Sequence, residues 1–193
     1  MDDREGKGGG DITALLRAWH LGDEDAYREV TAVLYGELRH EAERRIRGAR
    51  PGDTLQATAL VHETFMRLAN AHQVDWQDRN HFLAIAGRTM RRLLVELVRE
   101  HGAAKRGAGA IHVPLDSDVP AGDLPLVDLI ALDRALDGLA ELDARKVQVV
   151  ELKFFAGLTV EETAKVLDVS PDTVARDWRM ARTWLLRELR RSF

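Results

Sequence analysis

The last third of the chain, from Leu158 to Leu189, constrains the fold most, because it contains two helix-start signals only 11 residues apart, at Thr159 and Ser170. Thr159 and Glu162 have the spacing of a capping box, in which each side chain satisfies a backbone N–H of the first helical turn. After a short break, Ser170 and Pro171 suit the cap and the first position of a second helix. The stretch therefore predicts two helices joined by a tight turn.

The second of these helices has one apolar stripe and one polar face. Its apolar residues recur every three or four positions, as in a helix with one buried side: Val174, Trp178, Ala181, Leu185 and Leu189. Off that stripe lie Asp172, Thr173, Arg176, Arg179 and Met180. A helix-turn-helix presents the first turns of its second helix to base edges in the major groove. The pattern favours DNA reading, and the alternative is an ordinary helical hairpin with a solvated charged face.

The positive charge of the chain is confined to two segments. The formal net charge is −4, but residues 79–106 carry seven Lys and Arg against two Asp and Glu, and residues 170–193 carry six against three. Two separate basic segments are expected if two surfaces meet phosphate. The alternative is that these arginines lie on solvated faces of amphipathic helices.

The spacing of apolar residues in the first half predicts four helices. They cover about residues 11–21, 24–47, 56–71 and 81–101. Asp23 and Asn80 stand where the caps of the second and fourth helices are expected. Trp76 lies in the polar loop before the fourth helix, where it either stacks on an unpaired base or closes a hydrophobic core.

Residues 102–127 have no helical periodicity, are rich in Gly and Ala, and hold three of the five prolines. A structureless loop of this length inside one compact domain is unusual, so we expect a linker that lets two modules sit apart. Helices are then expected over residues 128–142 and from the Asp143 cap to near Gly157. The sequence predicts an all-α protein in which two helical modules, residues 11–101 and 128–193, are joined by a flexible linker.

The 193 residues include no cysteine, which excludes disulfides and suits a reducing compartment such as the cytoplasm. No apolar run approaches the roughly 20 residues of a membrane span, and residues 1–10 resemble a disordered tail rather than a signal peptide. No phosphate-binding glycine motif is present, and Met66 stands where a zinc-protease motif beginning at His62 needs a second histidine. We expect no catalytic residue, no metal site, no cofactor and no membrane contact.

Three stretches resemble bacterial sigma factors of the extracytoplasmic-function (ECF) type. Residues 59–71, ALVHETFMRLANA, are similar to region 2.2, and residues 80–100, NHFLAIAGRTMRRLLVELVRE, to regions 2.3 and 2.4. Residues 132–189 are similar to region 4, and the resemblance covers almost everything from Asp11 to Leu189. It implies a promoter-specificity subunit. Region 2 would bind the β′ clamp of core RNA polymerase and melt the −10 element, and region 4 would bind the β flap and read the −35 element.

The resemblance also implies roles for individual residues. Those matching the −35 contacts are Ser170, Asp172, Thr173, Arg176, Arg179 and Arg182. Those matching the −10 contacts are Trp76, Arg79, Asn80, Arg88, Arg91 and Arg92. Those matching the polymerase contacts are His62, Glu63, Met66 and Arg67. An anti-sigma factor or a regulatory kinase is a further expected partner.

The chain departs from the family pattern in ways that limit the comparison. Residues 56–59 lack the acidic side chains that many relatives have there, and Asp172 and Asp177 are expected to repel phosphate.

One alternative to a sigma factor is a conventional helix-turn-helix regulator that binds an operator without polymerase. Another is a helical adaptor that binds only protein.

Overall fold

The computed structural model describes residues 9–46, 53–70, 74–104, 112–114 and 126–191. Most of the expected tail at residues 1–10 lies outside these ranges, and Gly9 and Gly10 already belong to the first helix. The helices of the first half are α1 (Gly9–His20), α2 (Glu24–Ile46), α3 (Asp53–Ala69) and α4 (Arg79–Ala104). Those of the second half are α5 (Leu129–Leu142), α6 (Ala144–Val150), α7 (Val160–Leu167) and α8 (Pro171–Arg191).

The helix caps of the first half are set by aspartates. Asp23 Oδ1 accepts from the backbone N–H groups of Asp25 and Ala26 at 2.9 and 3.1 Å, which confirms the predicted cap of α2. The predicted cap of α4 is wrong, because Asp78 Oδ1 accepts from the His81 N–H at 2.9 Å and Asn80 lies inside the helix. Asp and Asn are equally good caps, so the sequence alone could not show whether Asp78 or Asn80 caps α4.

The described residues also include two short strands between α4 and α5. β1 (His112–Pro114) pairs antiparallel with β2 (Leu126–Asp128), with Val113 opposite Val127. The sequence predicted no strand, since three residues are too few to show the alternation of a half-buried strand. The remaining parts of the predicted linker, residues 105–111 and 115–125, lie outside the described ranges. The prediction of an all-α fold is confirmed, because helices supply the core.

The second half contains one irregular turn. Asp143 caps α6 by accepting from the Lys146 N–H at 3.2 Å. At its end α6 widens into a π-helical turn, Glu151–Phe155. Every residue from Leu152 to Ala156 is buried, and the rings of Phe154 and Phe155 meet edge to face at 4.8 Å. The turn therefore places two consecutive aromatic side chains in the core.

The two halves pack on one continuous core. From the sequence we expected a linker that would let them sit apart. At the contact, a Cβ built on Gly87 of α4 would lie 2.7 Å from the Cβ of Ala156. Gly157 has φ +72°, and a Cβ built there would lie 2.4 Å from Cδ of Glu41 in α2. Glycine at position 87 lets α4 approach the Ala156 backbone more closely than a side chain would allow, and glycine at position 157 leaves room for the Glu41 side chain.

The capping box of α7 is formed as predicted. The Thr159 hydroxyl accepts from the Glu162 N–H at 3.1 Å, and the Glu162 carboxylate accepts from the Thr159 N–H at 2.9 Å. We expect Thr159→Ala to lower the free energy of unfolding by about 1 kcal/mol, since it removes one cap acceptor. Urea unfolding followed by circular dichroism measures this loss. Thr159→Ser keeps the acceptor and should stay within about 0.5 kcal/mol of wild type; an equal loss in both variants would contradict the assignment.

Candidate nucleic-acid interface

Helices α7 and α8 form a helix-turn-helix. The turn between them holds Asp168 in the left-handed conformation, with φ +52°, and the Val169 N–H donates to the Ala164 carbonyl at 3.0 Å. The Ser170 hydroxyl then accepts from the Thr173 N–H at 3.2 Å, which caps α8 where the sequence predicted. A left-handed residue followed two positions later by a new cap gives a three-residue connection, which is as short as a DNA-reading pair requires.

Helix α8 buries one side and exposes the other. Val174, Ala181, Leu185 and Leu189 of the predicted stripe are buried, and Trp178 is half-buried. On the opposite side Asp172, Arg176 and Arg179 are exposed, together with Met180, whose side chain is 54% exposed. Of the other candidate −35 residues, Ser170 is exposed, and Thr173 and Arg182 are half-buried beside the stripe. Arginine side chains at the start of α8 are thus available to an outside partner.

Asp177 does not belong to that outer surface, contrary to the expectation that it repels phosphate. It is 2% exposed, and Arg145 Nε at the start of α6 donates to its carboxylate at 2.7 Å. This ion pair raises the pKa of Arg145. It also joins α6 to α8, so Asp177 supports the position of the second helix. Asp177 is buried because it pairs with Arg145 on α6, and no local pattern in the sequence of α8 indicates that partner.

The described arginines of the basic segment at residues 79–106 lie on α4, and several already have carboxylate partners. Arg91 is 12% exposed and donates to Asp133 of α5 and to Glu151 of the π-helical turn, each at 2.8 Å. Arg88 pairs with Glu151 at 3.3 Å. Arg92 is exposed. The predicted −10 arginines Arg88, Arg91 and Arg92 therefore lie together on α4, but in this conformation they differ in their access to DNA.

Arg79 and Asn80 begin α4. Arg79 Nη1 donates to Asn80 Oδ1 at 3.2 Å and to Glu162 of α7 at 2.8 Å, while Nη2 donates to Glu37 of α2 at 2.6 Å. Burial lowers the pKa of Arg79, but the charges and hydrogen bonds of Glu37 and Glu162 outweigh it and raise the pKa overall. The first turn of α4 is thus tied to α2 and to the helix-turn-helix.

Trp76 lies inside the protein rather than at a nucleic-acid surface. Its side chain is 3% exposed and stacks on Trp19 of α1, with ring centroids 5.3 Å apart and an interplanar angle of 14°. The expectation of a base-stacking Trp76 is therefore wrong for this conformation. The core-closing alternative describes the residue, because burying its ring against Trp19, His81 and Phe82 is strongly favourable.

The contact between Arg79 and Glu162 predicts a dependence of stability on pH. Burial raises the pKa of Glu162, but the Thr159 N–H and the Arg79 guanidinium lower it more, so the net pKa lies below the ordinary value of 4.5. A carboxyl whose pKa is lowered by folding contributes stability above its unfolded pKa and loses it as the pH falls through the folded value. The Glu162→Gln variant keeps the capping box. We expect its melting temperature to fall less than that of wild type between about pH 5 and about pH 3. An equal fall in the melting temperatures of the two proteins over this range would contradict this.

The residues expected to face polymerase form a patch on α3. His62, Glu63 and Arg67 are exposed, and Met66 is 57% exposed. Arg67 donates to Glu63 at 3.1 Å and to Glu96 of α4 at 2.8 Å. The hydrogen bond with Arg67 lowers the pKa of Glu96 and raises that of Arg67. Glu96 thus belongs to the patch, although its separation of 29 residues from Arg67 hid it from a reading of the sequence.

The described ranges contain no group of three or more His, Asp or Glu side chains arranged to hold a metal ion. None of the described helices combines the length and the apolar composition that crossing a membrane requires.

A helix-turn-helix whose second helix exposes arginine defines a DNA-binding protein. The chain belongs to the ECF sigma factor family, because the family model with that description matches residues 9–191. No curated protein matches the chain significantly. Family membership confirms the resemblance of the three stretches and establishes a sigma factor role in transcription initiation.

Proposed function

We propose that the chain binds core RNA polymerase and directs initiation at a specific set of promoters. In this proposal α8 reads the −35 element, α4 contacts DNA near the −10 element, and the α3 patch meets the β′ clamp. The supporting observation is the exposure of Arg176 and Arg179 on α8, opposite the buried stripe that fixes the helix. Residues 11–101 and 128–193 would serve as the two modules, with 102–127 as their linker.

The exposed arginines suit base reading for a physical reason. A guanidinium donates two parallel hydrogen bonds to guanine, and each such contact discriminates by about 1–3 kcal/mol. Arginines that meet phosphate instead position the helix and make binding salt-dependent, with a slope near −0.9 per contact. Asp172 lies on the same exposed side, where a carboxylate can accept from the cytosine amino group and repels phosphate. The proposed interface is therefore selective rather than uniformly attractive.

Transcription in vitro tests the proposal. Core polymerase is supplied with a library of DNA randomised at both promoter elements, with and without the purified chain, and the transcripts are sequenced. We expect a defined pair of elements to be enriched only when both proteins are present. Tight binding to one DNA sequence without polymerase, and no enrichment with it, would favour the operator-binding regulator instead. An anti-sigma factor or a regulatory kinase is proposed on family grounds and would be sought afterwards.

A further inference from the structure

A small apolar cluster supports the start of α8. Val174 packs there with Val149 of α6 and Ala164 of α7, and none of the three exposes more than 4% of its surface. Apolar attraction brings the three helices together, but it is not directional. It therefore fixes the rotation of α8 about its own axis less sharply than a hydrogen bond would.

One turn further along, α8 makes a directional contact. The Asp177 carboxylate is buried and accepts from Arg145 Nε at 2.7 Å. Arg145 is the second residue of α6, whose first turn is fixed by the Asp143 cap, an acceptor for the Lys146 N–H at 3.2 Å. A charge-assisted hydrogen bond requires both a short distance and a favourable angle. The pair therefore joins one defined atom of α8 to a capped helical turn.

The next residue of α8 also meets a cation. Nζ of Lys153, in the π-helical turn, lies 5.8 Å from the centroid of the Trp178 ring, and Lys153 is buried. Asp177 and Trp178 are thus both held by cations from elements that precede the helix-turn-helix. Arg176 stands directly before these two residues and Arg179 directly after them. The arginines proposed to read bases therefore bracket the part of α8 that these cations hold.

Small rotations of α8 matter for base reading. The tip of a side chain lies about 6 Å from the helix axis, so a rotation of about 10° moves the tip by about 1 Å. Two parallel hydrogen bonds from a guanidinium to guanine tolerate less than this, because binding groups must be held to within about 0.5 Å of the productive geometry. Base reading by Arg176 and Arg179 thus depends on whatever sets the rotation of their helix.

We propose that Arg145 is a positioning residue for −35 recognition: through Asp177 it sets the rotation at which α8 presents its exposed arginines to the bases. The inference rests on the proposed function, because it takes α8 to be the −35 reader. A buried ion pair adds little net stability compared with apolar side chains of similar volume, whereas it can impose one defined geometry. Loss of Arg145 should therefore change the choice of bases and not only the stability of the fold.

Four variants separate position from charge and from stability. Arg145→Leu removes the donor to Asp177. Arg145→Gln removes the charge but keeps an N–H donor, because Gln Nε2 is the same number of bonds from Cα as Arg Nε. Arg134→Leu, at an exposed position of α5, is the matched control for lost charge. Ile12→Val, in the core of the first half, is the control for lost stability alone.

The measurement is the base preference at each promoter element, read from transcripts of the doubly randomised library with core polymerase and each full-length variant. We expect Arg145→Leu to weaken the −35 preference about fivefold or more, which is the discrimination supplied by one weak base contact. The −10 preference in the same transcripts should change by less than about twofold, because independent sites do not couple. Arg145→Gln should keep most of the −35 preference, and both controls should match wild type at both elements.

The outcomes separate this inference from the proposed function. An unchanged −35 preference in Arg145→Leu, the same loss in Arg145→Gln, or an equal loss at the −10 element or in Ile12→Val would overturn the positioning role while wild-type transcription stays promoter-specific. If wild type selects no promoter with core polymerase, the proposed function fails and the positioning role falls with it. Should Arg145→Leu not fold by circular dichroism, Arg145→Leu with Asp177→Asn carries the same comparison, because it buries no unpaired charge.

Discussion

A chain carrying Arg176→Glu and Arg179→Glu is expected to lose promoter-specific transcription by on the order of 30-fold or more. Two base contacts worth about 1–3 kcal/mol each account for this loss, and the introduced carboxylates add repulsion from phosphate. Both side chains are exposed on α8, so the fold should not change. Run-off transcription with core polymerase, on a promoter enriched from the library, measures the effect, and thermal unfolding checks that the protein remains intact.

The matched control uses the same helix. Arg187→Glu and Arg190→Glu impose the same change in charge at exposed positions about three turns further along α8. Because a recognition helix reads bases with its first turns, this control should retain most of the activity. Equal losses in the two variants would indicate a general charge effect rather than sequence reading. Unchanged transcription in the first variant would exclude α8 as the −35 reader.

Gly157→Ala is expected to lower the free energy of unfolding by about 2 kcal/mol, the largest effect that we expect from adding one methyl group. The left-handed conformation at φ +72° costs an ordinary residue about 1–2 kcal/mol. The new Cβ would also meet the Glu41 side chain, which is 9% exposed and has little room to move. Denaturant unfolding with a matched wild-type curve measures the loss.

Two further variants separate the causes of that loss. Gly157→Asn has a Cβ but tolerates the left-handed conformation, so it should recover part of the stability. Combining Gly157→Ala with Glu41→Ala removes the contact but keeps the strain. We expect a coupling of about 0.5–1 kcal/mol between these two positions. A coupling near zero would mean that the two halves do not meet at Gly157 in solution.

Local signals predicted the helices well, because their causes lie within a few residues. Asp23, Asp143 and Thr159 cap the helices that follow them, and the apolar stripe of α8 is buried as its spacing indicates. The helix-turn-helix and its exposed arginines followed from the same kind of evidence. Family resemblance then supplied the functional class, which no single pattern in the chain defines.

Long-range pairing accounts for what the sequence did not predict. Arg91 and Glu151 are 60 positions apart, and Arg79 and Glu162 are 83 positions apart. Nothing in the local order of charges distinguishes such partners from solvated side chains. The same is true of Asp177, whose burial depends on Arg145, and of Trp76, whose ring finds Trp19 across the first half. The close approach at Gly87 depends on Ala156, 69 positions away in the sequence.

The widened turn at Glu151–Phe155 makes the chain sensitive to length at that point. A π-helical turn holds one residue more than the α-helical turn it replaces. Deleting a single residue there would let the helix relax into regular winding and rotate everything beyond it by about 100° relative to α6. Homologous sequences should therefore accept substitutions within this pentapeptide far more readily than insertions or deletions, since the latter would turn the helices that follow it, α8 among them, away from their present orientation relative to α6.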